Sequence, residues 1–269
     1  MSRTNQVTTE ESPASNLQPP ASRYIALTLA YDGTHFCGSQ RQANGPSVQG
    51  EVERALEVVL KAPTTVSLAG RTDAGVHALG QVGRFVTENQ MPAEKFVPAL
   101  NRVLEKSVRV WQAREVDENF HPRFSAKSRV YRYWINNAAV ANPSLRMATG
   151  HIVKPLAADA MQSAASEFLG SQDFAAWQSA GSPNGPTIRD VMSLEVREVT
   201  ALGTELLEIE IEANAFLYQM VRNIVGALIK VGQGDLTAEE IRHLTAGRDR
   251  TKCPPPAPPQ GLCLVEVKY

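Results

Sequence analysis

From Arg23 the chain alternates, with Ile25, Leu27, Leu29 and Tyr31 interleaved with Ala26, Thr28 and Ala30. A period of two predicts a β-strand, and the glycine turn in "YDGT" closes it. After Ser47 the period changes: Val48, Val52, Leu56, Val59 and Leu60 recur at helical spacing, with Ser47 placed as an N-cap. Strands are expected over "TTVSLAG", "QVGRFVT" and "SVRVWQAREV", and a short helix over "MPAEKFVPALNRVL". The second half repeats this style. It predicts a strand at "SRVYRYWINN", a helix at "LAADAMQSAASEFLG" stopped by Gly170, and strands at "VMSLEVREV" and "ELLEIEIEA" joined near Leu202–Thr204. A strongly apolar helix at "FLYQMVRNIVGALIKVG", a short polar one at "TAEEIRHLTAG", a proline loop and a closing strand at "LCLVEVKY" complete the chain. In "ELLEIEIEA", Leu207, Ile209 and Ile211 alternate with Glu208, Glu210 and Glu212, so one face is expected to be wet.

Each half thus has about four strands and two helices, which predicts an α+β fold with helices packed on a mixed or antiparallel sheet. Residues 1–22 are rich in Ser, Thr, Pro, Asn and Gln and read as a disordered tail, followed by an N-terminal half (23–120) and a C-terminal half (121–269). No residue-level repeat is visible, although two diverged copies of one unit fit the element order. Composition narrows the classes. With 43% hydrophobic and 20% charged residues the chain reads as soluble and globular. No apolar run approaches the roughly 18 residues that span a bilayer, and the first residues resemble neither a secretory signal nor a transit peptide. Three cysteines without a CxxC pair and five histidines without an HxxxH pair disfavour a disulfide framework or a metal site and fit a reducing cytoplasm.

The net charge of −1 argues little for a nucleic-acid partner, but charge is clustered. "HPRFSAKSRVYRYWI" carries Arg123, Lys127, Arg129 and Arg132 and no acid. Within it, Arg129, Tyr131, Tyr133 and Ile135 share one strand face. They form either an ordinary core face or a basic surface whose Tyr131 stacks on a splayed-out base. The stretch "AGRTDAGVHA" holds Asp73 two positions after Arg71, between Gly70 and Gly75. A loop aspartate commonly caps local backbone N–H groups; an ionised one can also act as a nucleophile or base. His77 reads as a hydrogen-bonded core residue or a proton carrier. Arg222 and Asn223 interrupt the apolar stripe of Leu217, Met220, Val221, Ile224, Val225 and Leu228. A buried arginine requires an acid, for which Asp73 is a candidate.

"AGRTDAGVHALGQV", "FHPRFSAKSRVYRY", "NAFLYQMVRNIVG" and "QGLCLVEV", in this order, resemble the bacterial tRNA pseudouridine synthase A (TruA) family over about residues 23–269. The resemblance implies two α/β halves around a continuous mixed, largely antiparallel sheet, with the active-site cleft between them. It also implies a cytoplasmic homodimer that converts uridine to pseudouridine in the tRNA anticodon arm, at about positions 38 to 40, with no metal or organic cofactor and no membrane. By motif match, Asp73 is the catalytic aspartate. Tyr131, Arg71 and Arg222 are substrate-binding: a ring for the target base, an RNA contact beside the aspartate, and the cation that pairs with it. The chain reads Gly38-Ser39-Gln40 where the family usually has Gly-Trp-Gln, and Cys263 where Tyr is common. A non-catalytic RNA-binding module is the alternative. An aspartate-dependent hydrolase ranks last, since no second carboxylate accompanies Asp73.

Overall fold

The computed structural model describes residues 22–43, 45–181 and 185–269. The tail expected over 1–22 therefore lies outside the described residues, apart from its last position. Strands β1 (Arg23–Tyr31), β3 (His77–Thr87) and β4 (Val108–Val116) pair antiparallel, and the two-residue β2 (Ser67–Leu68) adds to β3. Strands β5 (Ser128–Asn136), β9 (Thr204–Ala213), β8 (Ile188–Ala201) and β7 (Gly170–Asp173) form the other end, with the short β6 (Gly150–His151) beside β5. The closing strand β10 (Leu262–Lys268) lies between β3 and β5, parallel to the first and antiparallel to the second. One ten-stranded mixed sheet results, ordered β4-β1-β3-β10-β5-β9-β8-β7. The α+β expectation, with a continuous and largely antiparallel sheet, is met. Its continuity depends on the last strand, because without β10 no strand bridges β3 and β5.

Helices α1 (Val48–Leu60), α2 (Phe96–Asn101), α3 (Ala158–Ala165), α4 (Met220–Gly232) and α5 (Ala238–Gly247) supply the second layer. Ser47 caps α1 as expected, its Oγ accepting from the Gly50 N–H at 3.2 Å, worth about 1 kcal/mol. The inward residues of β1 (Ile25, Leu27 and Leu29) and those of α1 (Val48, Val52, Ala55 and Leu56) are fully buried in one cluster that continues through β5, β9 and α4.

Several expected boundaries move. The strand expected at "TTVSLAG" shrinks to Ser67–Leu68. Gly170 (φ +82°) opens β7 rather than capping a helix, because the helical run tightens into a 3-10 turn at Ser166–Phe168. Helix α4 starts at Met220, not Phe216, because Gln219 adopts a left-handed conformation (φ +57°) that breaks the helical run. The glutamate face of β9 is not simply wet. Glu208 is buried and accepts from Trp134 Nε1 (2.7 Å) and Arg197 Nε (2.7 Å), so ion pairing replaces water there.

Candidate active site

The loop after β2 is held on three sides. Thr72 N–H donates to Ser39 Oγ (2.8 Å), Ser39 N–H donates to Thr72 O (3.1 Å), and the Thr72 hydroxyl bonds Tyr31 Oη (2.8 Å). Gln81 Nε2 donates to Gly70 O (3.0 Å). Gly38 makes the close approach possible. It has φ +112°, and a Cβ there would lie 2.9 Å from Thr72 O. Gly75, at φ +76°, packs against Pro259 on the far side. Of the two glycines singled out in this motif, only Gly75 uses the left-handed region; Gly70 does not. Ser39, one of the departures from the family pattern, is completely buried and bonds the residue between Arg71 and Asp73. This departure therefore touches the loop directly. A serine fits because a hydroxyl can satisfy the loop's own N–H.

Asp73 Oδ2 accepts from Arg222 Nη1 at 3.0 Å, across 149 residues of chain. The side chains are 18% and 11% exposed, so the pair is largely shielded from water and little screened by salt. Arg222 is the carboxylate's partner among the described residues; no local backbone N–H caps it, so the capping alternative does not hold. Arg222 Nε donates to Ala257 O (2.8 Å), and Ala257 N–H donates to Arg222 O (2.9 Å). One guanidinium thus links α4, the proline loop and the aspartate loop. Asn223, the second polar interruption of the apolar stripe, is fully buried. Its Nδ2 donates to Trp177 O (2.7 Å), and its Oδ1 accepts from Arg250 Nη2 (2.8 Å), whose Nη1 holds Pro254 O (2.9 Å). Polar residues inside an apolar helix were the visible signal for both. The contributions of Thr72, Tyr31, Gln81 and Arg250 left no such signal.

The proline loop lies against α4 at Gly226, where a Cβ would stand 2.1 Å from Pro255 O. Gly226→Ala is expected to push the loop outward and to cost about 1–3 kcal/mol as an overpacked contact. Urea denaturation of the variant checks this, and unchanged stability would show that the contact is not tight.

Tyr131 lies on β5 opposite Leu264 of β10, which itself faces Ala78 of β3. This register puts the ring at the junction of the two ends of the sheet, near the aspartate loop. Its ring meets Phe216 edge-on (centroids 5.2 Å apart). Burial, the neighbouring Tyr31 and the Asp73 carboxylate together push the Tyr131 phenol far above its usual range. Burial likewise pushes Tyr31 up to about 12. Neither phenol ionises near neutrality; Tyr131 keeps its proton and lies in the core, 9% exposed.

Arg71 is exposed and makes no hydrogen bond or ion pair with the described residues. The 121–135 cluster divides. Arg123 and Lys127 are exposed, and Arg129 binds backbone carbonyls. Arg132 turns to the opposite sheet face and pairs with Glu210 and Glu208. It is thus unavailable to a ligand beside Tyr131, as strand alternation requires. His77 serves structure: Nδ1 accepts from Gly33 N–H (3.1 Å) and Nε2 lies 3.2 Å from Gln260 O, tying the proline loop to β3. Among the described residues no helix is long and apolar enough to cross a membrane.

The family model described as tRNA pseudouridine synthase matches residues 28–125 and 164–269. A tRNA pseudouridine synthase A from Thermoanaerobacter sp. (strain X514) is 41% identical over 247 residues, covering 92% of this chain and 100% of the relative. One from Myxococcus xanthus is 40% identical over 245 residues, covering 91% of each. The chain therefore belongs to the tRNA pseudouridine synthase family, in the bacterial branch of these A-type relatives. Among solved structures, a Cbf5–Nop10–Gar1 complex matches at TM-score 0.31 and 12% identity, covering 77% of this chain and 54% of that one. A likeness that weak carries no argument.

Proposed function

We propose that this chain isomerises uridine to pseudouridine in the anticodon arm of tRNA, at about positions 38 to 40, with Asp73 as the catalytic residue. The supporting observation is the shielded Asp73–Arg222 pair (3.0 Å) beside the Tyr131 ring. The reaction breaks the bond between uracil N1 and ribose C1′, turns the base, and joins C5 to C1′. The proton on C5 leaves and N1 gains one, so nothing is consumed. A carboxylate can serve by attacking the uracil ring, or by attacking or deprotonating the ribose. Each route needs an anion in a site that sheds water when the base enters, and a fixed guanidinium holds such an anion in place. No metal or organic cofactor takes part in this scheme.

Unstacking the target base costs a few kcal/mol, and stacking on Tyr131 recovers about 1–3 kcal/mol of it. Arg71, exposed and unpaired next to Asp73, is positioned to meet RNA as the base leaves its stack. In this reading the halves 23–120 and 121–269 grip the RNA from either side of the junction, and the enzyme acts in the cytoplasm as a homodimer.

Tritium release from tRNA labelled at uridine C5 tests the proposal, because C5 loses its hydrogen when the new carbon–carbon bond forms, and the appearance of pseudouridine in the digested RNA accompanies it. Release at catalytic protein concentration is the expected result. Normal tRNA binding without release would favour the non-catalytic binding module instead.

A further inference from the structure

Phe124 is the most exposed aromatic residue among the described ones, at 75%, yet the turn that presents it is rigidly built. Ser125 N–H donates to His121 O (2.9 Å) and His121 N–H donates to Ser125 Oγ (3.0 Å). His121 Nδ1 accepts from the N–H groups of Arg123 (3.1 Å) and Phe124 (3.3 Å). The His121 ring also props the Phe124 ring, with centroids 4.4 Å apart and planes tilted by 36°. Tyr269 Oη donates to Pro122 O (2.9 Å). A loop tip this well tied does not need an exposed apolar ring for its own stability.

The turn is also tied to the aspartate loop. Arg129 Nη2 donates both to Arg123 O (2.7 Å) and to Ala69 O (3.2 Å), and Ala69 lies four residues before Asp73. The surroundings of the ring are cationic. The Arg123 guanidinium stands 5.6 Å from the Phe124 centroid, close enough to Arg129 and Arg189 that its charge adds to the burial disfavouring theirs. None of Arg123, Arg129 or Arg189 forms an ion pair among the described residues, and the guanidiniums of Arg129 and Arg189 bond only backbone carbonyls. An open ring set among unpaired arginines is the combination that single-stranded nucleic acid recognises.

We infer that Phe124 and Arg123 form a second stacking platform, which takes the base next to the target uridine while Tyr131 takes the uridine itself. This rests on the reading of the chain as a tRNA-modifying enzyme. Arg129, two residues before Tyr131 on β5, ties the turn to the aspartate loop, so the Phe124 ring is held by the same framework that carries Tyr131. A second copy of the chain fits this surface poorly. A two-fold interface buries the same patch on both copies, so each copy would bring an arginine group that forms no ion pair among the described residues.

The test is the affinity of an anticodon stem-loop RNA for wild type, Phe124→Ala and Phe124→Trp, with sedimentation velocity on each. Phe124→Ala is expected to weaken binding by about 5- to 100-fold, Phe124→Trp to restore it, and the oligomeric state to stay constant. Placing an abasic nucleotide on one side of the target, then on the other, is expected to abolish the difference between wild type and Phe124→Ala in one of the two positions. Equal affinity for intact RNA overturns the platform, as does an equal loss on both abasic RNAs. Altered sedimentation with unchanged affinity would assign the ring to a second copy. Wild type that neither binds the stem-loop nor releases tritium sinks the underlying reading and the platform with it. An active wild type with a fully binding Phe124→Ala sinks the platform alone.

Discussion

Asp73→Asn is expected to bind tRNA like the wild type and to release no measurable tritium, a loss of about 10⁴-fold, the upper end for one positioned acid–base group. The amide is nearly isosteric, and its oxygen can still accept from Arg222 Nη1, which now bonds the carboxylate at 3.0 Å. The loop should therefore stay in place, since its anchors are Thr72 with Ser39 and Tyr31, and Gln81 with Gly70, none of which uses the Asp73 side chain. What the amide lacks is nucleophilicity and basicity, which every route to pseudouridine requires of this group. Filter binding and single-turnover tritium release separate the two properties. A variant that loses both together would make the carboxylate a structural group, and one that keeps turnover would move the chemistry to another residue.

Arg222→Met is expected to lower turnover by about 10²–10³-fold, the range for removing one preorganised charge-stabilising donor. It should also cost about 3 kcal/mol of stability, because removing one partner of a shielded ion pair leaves the other charge uncompensated. Both effects follow from one side chain with two tasks, one end on Asp73 and the other on Ala257 O. Arg222→Lys keeps the charge but lacks the forked geometry, so it cannot serve both ends at once. It should recover part of the stability and little of the turnover. Urea denaturation and single-turnover kinetics on both variants check this. Full turnover in Arg222→Met would reduce the arginine to a strut between α4 and the proline loop.

Local pattern determined much of this protein by itself. Alternation placed β1 and β9, and helical spacing placed α1, because these periods reflect which residues a regular backbone turns toward a core. The charged and polar breaks in an apolar helix marked Arg222 and Asn223, since burying such groups demands partners. Boundaries were less legible where the backbone leaves a regular region for a tertiary reason. Gln219 turns left-handed and ends the helical run, and Phe216, outside α4, meets Tyr131. Single-strand alternation could not show that Arg132 has its acids on the next strand, although it did place that residue on the face away from Tyr131.

Motif resemblance singled out Asp73, Tyr131, Arg71 and Arg222, but only the tertiary structure decided how the chain holds them. The insertion of β10 between β3 and β5 brings the two ends of the sheet to one junction. There the aspartate loop, the aromatic strand and α4 converge, and the proline loop closes over them through Ala257 and Pro259. Contacts across 149 residues leave no local period in the chain, because each depends on how separate elements pack rather than on how any one of them repeats. For the same reason nothing local in the sequence ties Ser39 to the aspartate loop, yet in the fold it bonds the backbone next to Asp73.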